Sequence, residues 1–312
     1  DKLTQPGPRL PYVKDWLMNL VWSQDRYENL KPLEYLNQGE SEVNNFEKLI
    51  ASTADRTYGE FIESNDKDIK SELSDAETAV VVFDGMSIRE LPILVTLAKK
   101  SGFQIVERDY AFSAIPSETM DFVEQRLKCG RIGPSQLPGR RELTEKGIKA
   151  VFLSSNTQAL DVNSDDKALL IWSAFPDNTY ADSGARFAEH FENICIQIET
   201  AWMHSVQRIK AKKRIIITSD HGYVFFGSGL AFERKRREIE ELNRFFGNER
   251  SQRLDDQAMS FESDDVFLAR NCAMIKGRVQ TRSTGQAATR LYKHGGMSLM
   301  ECFTPWLVLD VS

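Results

Sequence analysis

Aspartate and histidine stand directly after the most apolar stretches of this sequence. Asp84 follows Thr78-Ala79-Val80-Val81-Val82-Phe83, and Ser219-Asp220-His221-Gly222 follows Arg214-Ile215-Ile216-Ile217-Thr218. Asp177 closes Phe175-Pro176-Asp177, just after Leu169-Leu170-Ile171-Trp172. His294-Gly295-Gly296 comes shortly before the last apolar run. Carboxylate oxygens and imidazole nitrogens are ligands of the kind that bind Zn2+ or Mn2+. A hydroxyl nucleophile is on offer in Ser113-Ala114-Ile115-Pro116-Ser117-Glu118-Thr119. Pro116 precedes a helical pattern and Ser117 reads as its N-cap. That puts Thr119 in the first helical turn, where the dipole and free N–H groups favour a phosphate. A metal on Asp84, Asp220 and His221 could bind the Thr119 hydroxyl and favour its alkoxide. The glycines after His221 and His294 let the backbone turn tightly beside such a site.

Each piece also has a plainer reading. Asp-Gly after a strand is commonly a turn, and a threonine at a helix start is commonly a cap. Two adjacent ligand types at a strand end, as in Asp220-His221, are harder to place without a use. His190 and His204 read as helix-face residues, and the basic run 234–237 as a solvated helix face. The cluster Lys210, Lys212, Lys213 and Arg214 is discounted in the same way.

The elements that must position these groups follow from periodicity. Short β-branched runs at 78–83, 104–107, 150–153, 168–174, 214–218 and 306–311 read as strands buried on both faces. Helical spacing lies between several of them, at 88–100, 119–128, 184–208 and 230–246. Ser87 and Glu90 suggest a capping box for the first of these helices, while Pro92 suits a later start. Alternating strands and helices imply a mainly parallel sheet covered on both faces, an α/β fold. Ligands bind such sheets at the carboxyl ends of the strands, where Asp84, Asp177 and Asp220 sit. Residues 1–75 read as a helical accessory segment, 76–312 as the α/β domain, and 228–265 as a charged, partly helical excursion from it.

Composition narrows the function. The 312 residues carry 46 acids and 40 bases, a net charge of −6, which argues against bulk nucleic-acid binding through the overall field. Forty-one per cent hydrophobic residues suffice for a full core. There is no apolar run long enough to span a membrane. The 4 cysteines lack CxxC spacing, which excludes a zinc ribbon or a disulfide scaffold and fits a reducing cytoplasm. With only 4 histidines, few residues can build a metal site. The chain opens on Asp1 and is read as a piece of something longer.

Taken in order, these residues resemble the PglZ-domain family, a branch of the alkaline phosphatase superfamily. The matching segments are Val82-Phe83-Asp84-Gly85-Met86, Ile115-Pro116-Ser117-Glu118-Thr119, Ile217-Thr218-Ser219-Asp220-His221-Gly222, and His294-Gly295-Gly296-Met297-Ser298 with Glu301 and Pro305. The resemblance implies an alkaline phosphatase-like three-layer α/β/α sandwich that binds one or two divalent metals, Zn2+ or Mn2+, and hydrolyses phosphate esters through a Ser or Thr nucleophile. Carried over by motif, Thr119 is the nucleophile. Asp84, Asp220 and His221 hold one metal, and Asp177 and His294 the other. The chain departs from the superfamily's Asp-x-x-x-His pair, because Ala181 stands four positions after Asp177, with Asp182 next. Either Asp182 replaces the histidine, or the second site is weak or empty. Arg89, close to Asp84 in sequence, is a candidate phosphate contact.

PglZ-domain proteins occur in phage-defence systems of the BREX type. The resemblance therefore implies a cytoplasmic metal-dependent phosphodiesterase or phosphatase in such a system. It would act on a phosphodiester, nucleotide or nucleic-acid substrate alongside other defence proteins. The alternative is a catalytically impaired scaffold that binds partners in a defence complex.

Overall fold

The computed structural model describes residues 8–50, 54–63, 67–163, 166–180, 187–227, 229–254, 263–281 and 291–311. Its strands, in chain order, are β1 (Thr78–Asp84), β2 (Gln104–Phe112), β3 (Lys149–Leu153), β4 (Leu169–Pro176) and β5 (Arg214–Ser219). They are followed by β6 (Val224–Phe225), β7 (Ser251–Arg253), β8 (Val266–Ala269), β9 (Cys272–Ile275), β10 (Tyr292–Lys293) and β11 (Phe303–Asp310). The main sheet has 6 strands in the order β2-β11-β5-β1-β4-β3. β1 runs parallel to both β4 and β5, and β4 parallel to β3. β11 is antiparallel to β5 and to β2, so it runs against the rest of the sheet.

β1 shows why the sheet is covered on both faces. All of its residues are buried, and side chains alternate between faces along a strand. Ala79, Val81 and Phe83 join a core that includes Leu94, Ile194, Ile198 and Trp202. Those residues come from the helices Leu91–Lys100 and Phe187–His204. Val80 and Val82 join a second core with Ile69, Leu73, Phe122 and Leu127 on the opposite face. The result is a helix–sheet–helix sandwich with a mainly parallel sheet.

Several expected boundaries move. The second strand extends from Gln104 to Phe112, because its later residues Tyr110, Ala111 and Phe112 are buried against β11. At 88–100 both start signals are used: Ser87 and Glu90 close a short 3-10 turn at Ile88–Glu90, and the α-helix begins at Leu91 with Pro92 in its first turn. The helix expected at 119–128 is α-helical only over Thr119–Phe122 and continues as a π turn over Val123–Leu127. The helix expected from 230 starts at Arg236 instead.

The N-terminal helices are joined to the sheet by a shared core. Leu10, Leu17, Trp22, Leu36 and Val43 lie in the same buried cluster as β1. The change at residue 75 is therefore one of secondary structure, with no break in packing. A buried ionic network reinforces the joint. Arg89, fully buried, pairs with Glu40 of the helix Pro32–Ile50. Arg278, also fully buried, reaches both Glu40 and Glu47 of that helix. Burial, only partly offset by Arg278 and the Leu299 N–H, pushes the Glu47 carboxyl up to about 7.

The charged excursion is more structured than its sequence suggests. It also runs past the expected end at 265: the helix Arg236–Phe246 and a 3-stranded sheet in the order β7-β9-β8, with β8 and β9 beyond 265, surround a core of Phe232, Leu242, Phe246, Val266, Ile275 and Val279. It returns to the domain at β10, which pairs with β6. Arg236 and Arg237 form exposed i,i+4 ion pairs with Glu240 and Glu241, as a solvated helix face should. Within the 210–214 cluster, Lys212 makes internal contacts to the Asp166 and Lys167 carbonyls and Arg214 to Glu72, while Lys213 is exposed. Among the described residues, no helix is long and apolar enough to cross a membrane.

Candidate metal and phosphoryl-transfer site

The carboxyl ends of β1, β4 and β5 lie side by side in the sheet and deliver Asp84, Asp177 and Asp220-His221 to one edge. β11 runs the other way, so it is its start that lies at this edge, and the segment 294–302 leading into it arrives there with His294. β2 also ends here and leads through 113–118 to Thr119.

The side chains converge. Thr119 Oγ1 lies 3.2 Å from His221 Nε2 and 3.5 Å from Asp84 Oδ1. His221 Nε2 lies 3.6 Å from Asp84 Oδ1 and 3.4 Å from Asp220 Oδ2. On the far side of His221, the His294 ring stacks at 4.0 Å between centroids and an interplanar angle of 16°. His294 Nε2 is 3.8 Å from Asp177 Oδ1. Two ligand sets thus form, Asp84/Asp220/His221 and Asp177/His221/His294, each with its ligand atoms within 4.8 Å of one another. They meet at His221.

The electrostatics of the first set favour a cation. His221 Nδ1 is 2.9 Å from the Gly222 carbonyl, which can only accept, so Nδ1 carries the proton. Its Nε2 then points a lone pair at two carboxylates and a hydroxyl. Asp220 Oδ1 accepts from the Gly85 N–H at 3.0 Å. Its Oδ2 is buried and has no hydrogen-bond partner among the described residues. Such an orphan acceptor is costly without a positive charge beside it. Burial, then the carboxylates of Asp220 and Asp177, push the Asp84 carboxyl well above the usual range, against hydrogen bonds from Trp172 and Thr119. A donor set of two carboxylates, one imidazole and a hydroxyl fits a divalent cation. At His294, burial disfavours the charged ring, but Glu118, Asp177 and Asp220 outweigh it and raise the pKa above the ordinary histidine value.

Supporting residues fix this geometry, and Trp172 among them is one that the sequence did not single out. Trp172 Nε1 donates to Asp84 Oδ2 at 3.1 Å from the neighbouring strand. Ser219 Oγ accepts from the Met86 N–H at 2.8 Å and lies 2.5 Å from the Phe83 carbonyl, tying the ends of β1 and β5 together. Gly222 is needed for space: a Cβ there would fall 2.1 Å from the Met300 carbonyl oxygen and 2.7 Å from Ser87 Cβ. Gly295 is needed for its backbone, with φ of +101°.

Two expectations are corrected. Ser117 is not the N-cap; Glu118 holds that position, with no side-chain capping bond. Ser117 Oγ instead donates to the Gly296 carbonyl at 2.9 Å and accepts from the Gly295 N–H at 3.0 Å, bracing the His294 segment. Arg89 is not a phosphate contact. It is fully buried, bonded to Glu40, Ser87 and the Tyr223 carbonyl, with its guanidinium 4.0 Å from the Tyr223 ring centroid. A charge so enclosed has no face left for a substrate. Asp182 and Ala181, the positions at which the second ligand set departs from the superfamily pattern, lie outside the described residues, as does the side chain of His190.

No family model matches the chain, and no curated protein does. Among solved structures it is similar to murine ectonucleotide pyrophosphatase/phosphodiesterase 5, in an inactive form complexed with AMP. That match has 12% identity over 75% of this chain and 88% of that one, with a TM-score of 0.43. A second structure of the murine protein matches at 12% identity, 74% and 87% coverage and a TM-score of 0.42. The human counterpart matches at 11%, 74%, 87% and 0.41.

Proposed function

We propose that this chain is a metal-dependent phosphoesterase that cleaves phosphodiesters, with Thr119 as the nucleophile. The observation that carries the reading is the placement of the Thr119 hydroxyl at the edge of a buried oxygen-and-imidazole set, 3.2 Å from His221 Nε2. Asp84, Asp220 and His221 would hold one Zn2+ or Mn2+, and Asp177 and His294 a second. Bound there, the metals supply positive charge that stabilises the attacking and leaving oxygens of an in-line displacement.

The chain's own residues do the rest. The helix start at Thr119 fixes the hydroxyl and offers backbone N–H groups toward a phosphoryl oxygen. Asp84 accepts the Thr119 hydroxyl bond and orients it for attack on phosphorus. The Trp172 indole holds Asp84 in that rotamer. Attack joins the Thr119 oxygen to phosphorus and expels one alcohol of the diester, which takes up the proton the hydroxyl loses; the other alcohol stays on phosphorus, and water then cleaves the Thr119–phosphorus link, releasing a phosphate monoester and returning the Thr119 hydroxyl. The substrate class is a phosphodiester such as a nucleotide or nucleic acid. Membership of the PglZ-domain family, a cytoplasmic phage-defence setting and partner proteins of that system are the finer reading, resting on the four motif segments.

Hydrolysis of bis-p-nitrophenyl phosphate tests the activity. Turnover is expected with added Zn2+ or Mn2+, lost on chelation, and reduced about 1,000-fold or more by Thr119→Ala. Equal rates for wild type and Thr119→Ala would refute the nucleophile. No turnover under any metal would favour the scaffold reading.

A further inference from the structure

We propose that Glu118 is a positioning residue for His294, and that it connects the 229–281 excursion to the second metal centre. The inference rests on the hydrolase reading above and extends it to a residue outside both ligand sets.

Glu118 occupies the N-cap of the Thr119 helix, with φ of −123° and ψ of 142°, yet its side chain makes no capping bond. The carboxylate turns away from the helix. Its Oε2 lies 3.5 Å from His294 Nδ1, and its Oε1 accepts from Ser251 Oγ at 3.3 Å. The same His294 Nδ1 is 3.3 Å from the Ser117 carbonyl. An oxygen that can only accept fixes the proton on Nδ1 and leaves Nε2 free toward Asp177. A ligating imidazole whose other nitrogen donates to a carboxylate or carbonyl is held in one tautomer and orientation and gains basicity. The packing is tight: a Cβ at Gly295 would lie 2.2 Å from Glu118 Oε1. Ser251 belongs to β7 of the excursion, so the excursion supplies the anchor for this carboxylate. A second tie runs beside it, from Arg253 of β7 to the buried Asp121.

Glu118→Gln tests the assignment, because it keeps the size of the side chain and its acceptor for Ser251 while removing the charge. Two readouts are used. Titration of the metal-free protein with Zn2+ against a competing chelator should show two equivalents in the wild type. The variant should bind one equivalent unchanged and the other about 10-fold more weakly. In metal-free protein labelled at histidine with 15N, the His294 Nδ1 resonance should move while that of His221 stays. With 4 histidines in the chain, the signals can be assigned one by one. Ser251→Ala should reproduce part of the weakening with Glu118 intact. Unchanged affinities, an equal fall in both, or uptake of one equivalent by the wild type would overturn the proposal. Failure of the wild type to bind any Zn2+ would instead overturn the hydrolase reading, and the metal-free resonance would then decide the Glu118–His294 contact by itself.

Discussion

In metal-free protein, Asp220→Asn raises the melting temperature; with Zn2+ or Mn2+ present, it removes both the metal-dependent stabilisation and the turnover. The two signs come from one geometry. Asp220 and Asp84 both approach His221 Nε2, at 3.4 and 3.6 Å, in a buried site. Without a cation, burial and the neighbouring carboxylates hold the Asp84 carboxyl far above its usual range. The fold therefore bears the cost of enclosing these groups. An asparagine keeps the acceptor for the Gly85 N–H, now at 3.0 Å from Oδ1, and deletes one charge. A higher melting point is expected in the presence of chelator, because one of two buried carboxylate charges that repel each other is gone. The same deletion removes a ligand from a site that needs about three. Wild type gains stability with metal by mass action, and the variant should gain almost none. Thermal melts with chelator and with saturating metal check both signs. A lower melting point for Asp220→Asn in chelator would show that the carboxylates do not repel one another there.

Replacing Arg89 by alanine should cost about 3–5 kcal/mol, the range for breaking a buried ion pair by removing one partner. Arg89 and Arg278 share Glu40, and Arg89 also lies 3.9 Å from Glu90. These groups are all fully buried. Loss of the guanidinium also leaves the Tyr223 carbonyl and Ser87 hydroxyl without their donors. Against the roughly 5–15 kcal/mol that stabilises a typical domain, this is a large fraction. The expected result is a marked fall in the urea midpoint, with the helix Pro32–Ile50 loosened because Arg89 anchors its Glu40, while the ion pair of Lys14 with Asp109 of β2 still ties the first helix to the sheet. The substitution leaves Thr119 and the metal ligands in place, so residual folded protein should still bind metal. A midpoint shift worth less than about 1 kcal/mol would show that the Arg89–Glu40 pair adds little to what fastens that helix.

The parts of the fold legible in the sequence are those with a strong local signal. The run Thr78–Phe83 is apolar on both faces and forms the central strand. Ser-Asp-His-Gly after an isoleucine run forms the loop that carries His221. The direction of β11 is not legible, because an apolar run looks the same whether it pairs parallel or antiparallel. That reversal is what places His294 before its strand while the aspartates stand after theirs. Arg89 is misleading because sequence proximity to Asp84 says nothing of facing: a turn of helix points the guanidinium at Glu40 instead. Ser117 reads as a cap from its position before a helix, yet its hydroxyl serves a segment 178 residues away. Trp172 and Glu118 give no signal, since an indole in a strand and a glutamate at a helix start are ordinary until their partners are seen. The excursion looks like charged surface because its small core is built from residues widely spaced along the chain, from Phe232 to Val279.

The proposed function stands or falls with a cation held by Asp84, Asp220 and His221 against Thr119. Diffraction from crystals soaked in Mn2+ or Zn2+, recorded at the metal's absorption edge, tests it most directly. An anomalous peak is expected about 2.0–2.3 Å from a carboxylate oxygen of Asp84 and of Asp220 and from His221 Nε2, within reach of Thr119 Oγ1. A map with no peak there at saturating metal, or with peaks only at surface carboxylates, would contradict it.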